Sequence, residues 1–294
     1  MVYHLFMTAA QKAEILTHLI ETVHRLRAPG GCAWDRAQTH QSLRQYLMEE
    51  AHEVLDVLDT IHSPEDLKNE KTRLAFREEL GDLLMQVVLH SEMTAEQAAF
   101  DIYDVAAALD DKLVRRHPHV FGETKANDEE SAFQMWEKQK AKEKAANPAA
   151  SVLDGVPKGL PALQRASRVM EKVTKVGFQW KDMQGPLAKV DEEIAELKSE
   201  ILTYEAAPKD SPARESARVK LEAELGDVFF SLCNLAYLSK VNPEDALRST
   251  LKRFESRFKH VEKRLKENGK LPENSTLDEM DRYWDEAKVL ERNK

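Results

Sequence analysis

Glu49-Glu50-Ala51-His52-Glu53 and Glu79-Leu80-Gly81-Asp82 recur almost letter for letter as Glu192-Glu193-Ile194-Ala195-Glu196 and Glu224-Leu225-Gly226-Asp227. Within each string two carboxylates stand three residues apart, which on a helix puts both on one side. Two such helices in register are how an all-helical protein assembles oxygen ligands for a hard divalent cation. The predicted fold class is therefore all-α, built from tandem duplicated helical-bundle modules.

The repeat runs well beyond the acids. Cys32-Ala33-Trp34-Asp35 is echoed by Gly177-Phe178-Gln179-Trp180, the segment from Lys112 to Val120 by that from Arg253 to Val261, and Trp136-Glu137-Lys138-Gln139-Lys140 by Trp284-Asp285-Glu286-Ala287-Lys288. A period this long means two copies of one domain rather than a solenoid. The division expected is 1–145 for the first copy, 146–159 for a linker and 160–294 for the second. The linker carries turn chemistry in Asn147-Pro148-Ala149-Ala150-Ser151 and in Asp154-Gly155-Val156-Pro157-Lys158-Gly159. Two further polar breaks, around His62-Ser63-Pro64-Glu65-Asp66 and from Ala206 to Pro212, read as helix-to-helix loops, the second extending over Glu205 to Ala217.

With 42% hydrophobic and 32% charged residues and only 10 Gly and 11 Pro, the composition suits a helix-rich, core-forming chain. A net charge of −9 argues against general adhesion to nucleic acid or anionic lipid, each of which needs a basic field. Cys32 and Cys233 do not occupy matching positions, so no disulfide framework is expected and a reducing compartment is. The opening residues lack a basic start and an apolar core, and the longest apolar run, Val228 to Leu238, is too short for a bilayer. A cytoplasmic protein with no membrane partner is the expectation.

Apolar residues Leu187, Val190, Ile194, Leu197 and Ile201 mark one core stripe, and Leu221, Leu225, Val228, Phe229 and Leu232 a second. At roughly 100° per residue, Glu193 and Glu196 lie about 80° and 140° to one side of the first, and Glu224 and Asp227 match them beside the second. Glu50, Glu53, Glu79 and Asp82 repeat the offsets, giving a possible second metal site in the N-terminal copy. Neither Glu-Leu-Gly-Asp string contains a Lys or Arg, so converged acids would repel one another without a cation. The all-oxygen set favours Mg²⁺, with Mn²⁺ possible, over zinc. Gly81 and Gly226, costly inside helices, point to close approach of another backbone or an ion. Arg253 and Arg257 are one turn apart, as are Trp284 and Lys288, a pattern suited to phosphate charge and a nucleobase face.

The strings from Leu26 to Leu58, Arg77 to His90, Lys112 to Glu123, Ser151 to Leu163 and Val176 to Asp182 together resemble the MazG nucleoside triphosphate pyrophosphohydrolases in their two-copy bacterial form. That resemblance implies the all-α NTP pyrophosphatase fold, a homodimer, Mg²⁺ dependence, and hydrolysis of NTPs or dNTPs, ATP included, to monophosphate and pyrophosphate. It further implies a role in nucleotide-pool control or house-cleaning. It implies Glu193, Glu196, Glu224 and Asp227 as metal ligands, and Lys189, Lys220, Arg253, Arg257, Trp284 and Lys288 as nucleotide contacts. Ala33 departs from the family's usual Pro, and Arg253 from its usual Lys. Water attack at the α-phosphate would be assisted by Glu192 or Glu193. Copy one has Tyr46 and Ala75 where copy two has Lys189 and Lys220, so copy two is expected to be the main catalyst. The rival reading is a regulatory module that senses nucleotides or docks a protein partner without turnover.

Overall fold

The computed structural model describes residues 7–144 and 151–292, and among these it contains twelve α-helices, two short 3-10 turns and no strand. The chain divides into two compact units, Met1–Pro148 and Ala149–Lys294. Residues 1–6 and 146–150, which bear on the leader and linker expectations, fall outside the described residues.

Unit one contains α1 (Ala9–Arg27), α2 (Ala33–Ala37), α3 (Arg44–Leu58), α4 (Glu70–Ala95), α5 (Ile102–Arg116), α6 (Pro118–Phe121) and α7 (Glu129–Lys144). Unit two contains α8 (Ala162–Thr174), α9 (Gln184–Ala206), α10 (Pro212–Leu238), α11 (Pro243–Glu267) and α12 (Leu277–Arg292). The helices begin where side chains satisfy free backbone amides. Thr8 and Gln11 form a reciprocal box at α1, Asn69 accepts from the amides of Lys71 and Thr72 at α4, and Ser211 accepts from Arg214 at α10.

Ser211 and Pro212 also correct the loop expectation. Because they start α10 at once, the break between α9 and α10 is confined to residues 207–211 rather than extending from Glu205 to Ala217.

Each unit is organised on one helix hairpin, α3 with α4 and α9 with α10. Helix α8 packs on α10, and α1 on α4. This third helix rotates the buried face away from the stripe expected from periodicity. Val190 and Val228 are buried, but so are Glu193, Ser231, Cys233 and Asn234, whereas Leu187, Ile201, Leu225, Phe229 and Leu232 are exposed on the chain. Copy one repeats the division, with Val54 and Val88 inside and Leu47, Leu80, Leu84 and Val87 outside. Its core joins Val23, Leu43, Val88, Leu89 and Met93. In unit two, Val261, Leu265 and Tyr283 centre the contact between α11 and α12, each aliphatic side chain contributing about 1.5–3 kcal/mol by burial. Gly81 and Gly226 face open space, so no part of their own unit makes the close approach expected there. No helix among the described residues is long and apolar enough to cross a membrane.

Candidate metal and nucleotide site

In unit two the hairpin brings carboxylate oxygens of Glu193, Glu224 and Asp227 within 4.8 Å of one another. Glu193 comes from α9 and the other two from α10, one turn apart. Glu196 is exposed and stands outside this group, so three of the four expected acids converge and the fourth lies at their edge. In unit one the converging set is Glu50, Glu53 and Glu79, and there Asp82 is the acid left outside. The two copies thus use the same helices with different members drawn in.

The electrostatics are those of negative charge short of a cation. Burial, followed by Glu196, Asp227, Glu193 and Glu200, holds the Glu224 carboxyl above the usual carboxylate range. In copy one burial raises Glu50 and Glu79 alike, reinforced by Asp82 and Glu53. Glu200 was not anticipated from the sequence, although it lies one turn beyond Glu196. Its Oε2 is buried and has no hydrogen-bond partner among the described residues. The donors are oxygen only, which fits a hard divalent ion.

Lys189 is the cation nearest the acids. Its Nζ lies 2.6 Å from Glu193 Oε1 and 2.8 Å from Glu192 Oε1, and these partners raise its pKa. Glu193 is 5% exposed while Glu192 faces solvent. In copy one Tyr46 occupies the Lys189 register and meets Trp34 edge-on at 6.1 Å between ring centres.

Lys189, Glu193 and Asp227 also line a cavity of about 490 Å³. Its remaining wall includes Phe178, Trp180, Phe230, Ser231 and Asn234. Trp180 rests against Gly185 so closely that a Cβ there would sit 2.6 Å from its Cγ and 2.7 Å from its Nε1. Gly177, at φ 85°, supplies the left-handed turn leading from α8 into the aromatic segment, a conformation that Gly adopts without a Cβ clash.

Five expected contacts remain. Lys220 is exposed on α10. Arg253 donates to Ser249 Oγ and Thr250 Oγ1 on its own helix, at 2.8 and 2.9 Å. Arg257 donates to Glu291 Oε2 at 2.9 and 2.7 Å and stands 5.6 Å over the Trp284 ring, while Lys288 pairs with Asp285. None of these five lines the cavity. Copy one repeats the clasp. Arg116 is 5.6 Å over Trp136 and pairs with Glu143, whose carboxyl is lowered to about 2 by Arg116 and Arg115. Arg257 and Trp284 therefore bind α11 to α12 as Arg116 and Trp136 bind α5 to α7. The glutamate partners were missed because nothing in local spacing marks them.

Known proteins match this arrangement across both units. Residues 38–121 and 183–262 each match the MazG nucleotide pyrophosphohydrolase domain. The chain is 39% identical over 274 residues to the nucleoside triphosphate pyrophosphohydrolase/pyrophosphatase MazG of Thermotoga maritima, covering 93% of this chain and 96% of that one. It is 37% identical over 279 residues to the nucleoside triphosphate pyrophosphohydrolase of Escherichia coli, covering 94% and 98%. An uncharacterized Bacillus subtilis protein, YabN, is 39% identical over 291 residues, which are 98% of this chain and 55% of that protein. Since the paired matches take in both acidic hairpins and the similarity runs through nearly the whole length, the chain belongs to the MazG nucleotide pyrophosphohydrolase family.

Proposed function

We propose that this chain hydrolyses nucleoside triphosphates to monophosphate and pyrophosphate, with the C-terminal copy as the main catalyst. The observation that carries the reading is the sharing of Lys189, Glu193 and Asp227 between the acidic cluster and an aromatic-walled cavity. Phosphates at the acidic end and a base among Phe178, Trp180 and Phe230 match the two chemistries of one nucleotide.

Glu193, Glu224 and Asp227, with Glu196 beside them, would hold Mg²⁺ or Mn²⁺, and Glu50, Glu53 and Glu79 with Asp82 would form the second site. Such an ion, when bound, supplies charge to phosphoryl oxygens and an acidified water. The chain's own groups do the rest. Lys189 Nζ, exchanging its carboxylate partners for phosphate oxygens, positions the triphosphate and covers charge on the leaving group. That exchange frees Glu192 or Glu193 to take a proton from the attacking water, whose oxygen bonds to the α-phosphorus as the bond to the bridging oxygen breaks. Lys220 and Arg253 are available as further cations. Arg257, Trp284 and Lys288 would serve only by exchanging Glu291, Phe254 and Asp285 for nucleotide.

Exposed Leu225, Phe229 and Leu232 on α10 support assembly into a homodimer by helix packing. Light scattering then gives twice the 33.6 kDa of one chain, and a monomer at micromolar concentration contradicts it. For the activity, pyrophosphate release from ATP and GTP with Mg²⁺ is measured for wild type and Lys189→Ala. Absent release in the wild type, or undiminished release in the variant, removes this reading.

A further inference from the structure

One side-chain amide lining the cavity, that of Asn234, has a determined orientation. The Trp180 main-chain N–H can only donate, and it meets Gln179 at 2.9 Å, so the facing atom is Oε1. Gln179 Nε2 is thereby turned to Asn234 at 2.8 Å and to Thr174 Oγ1 at 3.3 Å. An Nε2 can only donate, so Asn234 offers it Oδ1, which leaves the Asn234 Nδ2 group for the cavity that this residue lines. Asn234 is 5% exposed, and its side chain is held by this chain of bonds rather than free to flip.

Asp227, Ser231 and Asn234 follow one another along a single face of α10, and all three line the cavity. Asp227 and Asn234 are about 10 Å apart along the axis at 1.5 Å per residue, a separation suited to the two ends of a nucleoside monophosphate. Copy one lacks the device. Leu89 holds the Asn234 register and is buried in the core, and Ala33 precedes Trp34 where Gln179 precedes Trp180.

We propose that Asn234 determines base selectivity in copy two, with Gln179 as its positioning residue. The cavity presents N–H donors and favours bases carrying an exocyclic carbonyl oxygen, such as guanine or hypoxanthine, over adenine, which carries an amine there. This inference rests on the reading that copy two hydrolyses nucleoside triphosphates. A buried donor that the wrong base leaves unpaired discriminates more strongly than shape does.

The test uses the full-length chain carrying Glu50→Gln and Glu53→Gln, which leaves copy two as the source of turnover. GTP, ITP and ATP compete in one vessel with Mg²⁺, and the ratios of kcat/KM are read from the monophosphates formed. The expected GTP and ITP preference over ATP is about tenfold. It falls toward one in Asn234→Leu, the residue that copy one accommodates at this register, and in Gln179→Leu. In Asn234→Asp, which exchanges donors for acceptors, the base must present its own N–H groups, so the ratios depart from the wild-type values. Turnover with unchanged ratios in all three variants overturns the assignment while leaving the pyrophosphohydrolase reading intact. No turnover of any triphosphate overturns both.

Discussion

Gly185→Ala tests whether the cavity wall is built as described. The added Cβ would enter the indole of Trp180, 2.6 Å from Cγ and 2.7 Å from Nε1, where ordinary carbon contacts begin near 3.4 Å. The ring must retreat by more than about 1 Å, because its Cδ1 lies nearer still, and overpacking of this kind costs about 1–3 kcal/mol. Alanine regains up to about 1 kcal/mol of helix propensity at the start of α9, so the net destabilisation is about 1–2 kcal/mol. For a unit of this size that lowers its melting temperature by about 2–8 °C. Because Trp180 belongs to the apolar wall of the cavity and not to the acidic cluster, KM for GTP should rise several-fold with kcat nearly constant. Calorimetry and steady-state pyrophosphate assays read both effects. Unchanged melting temperature and KM would refute the packing of Trp180 on Gly185.

Glu193→Gln and Asp227→Asn should each reduce turnover on the order of 100-fold or more while circular dichroism keeps its helical signal; near-wild-type rates at saturating Mg²⁺ would remove the acidic site. Glu193→Gln/Glu196→Gln should abolish most ATP hydrolysis and Glu50→Gln/Glu53→Gln should spare it, and the opposite pattern assigns catalysis to copy one. His40 and His90 meet Nδ1 to Nδ1 at 2.8 Å, and burial followed by His40 holds the His90 pKa below its usual value. The folded state then binds fewer protons than the unfolded one, so this contribution to stability is complete above about pH 6.5 and declines as pH falls below it. Melting curves from pH 8 to 5 should show a decline in wild type that is smaller in His90→Gln; equal declines would contradict the pairing.

The acidic hairpins were legible because helical period puts Glu193 and Glu196 on one side of α9 and Glu224 and Asp227 on one side of α10, and duplication distinguishes that spacing from ordinary solvated glutamates; that the two edges face each other came from the packing of the hairpin. Family motifs then extended the reading to nearly the whole chain. Periodicity did not reveal which apolar stripe faces the same unit. Leu225, Phe229 and Leu232 share a face as expected, but the buried face of α10, the helix on which α8 packs, carries Ser231, Cys233 and Asn234 instead. Glu200 was within reach of the same spacing argument, one turn past Glu196. Gln179 and Asn234, or Arg257 and Glu291, meet only after helices pack, and no local pattern joins residues so far apart. Tertiary contact also accounts for Gly185, whose requirement comes entirely from the Trp180 ring.

The most direct test of pyrophosphohydrolysis is mass spectrometry of the products formed from GTP and Mg²⁺ in ¹⁸O-enriched water. Attack at the α-phosphorus predicts GMP carrying one ¹⁸O together with unlabelled pyrophosphate. Labelled orthophosphate with GDP would place cleavage between the β- and γ-phosphates and contradict the account.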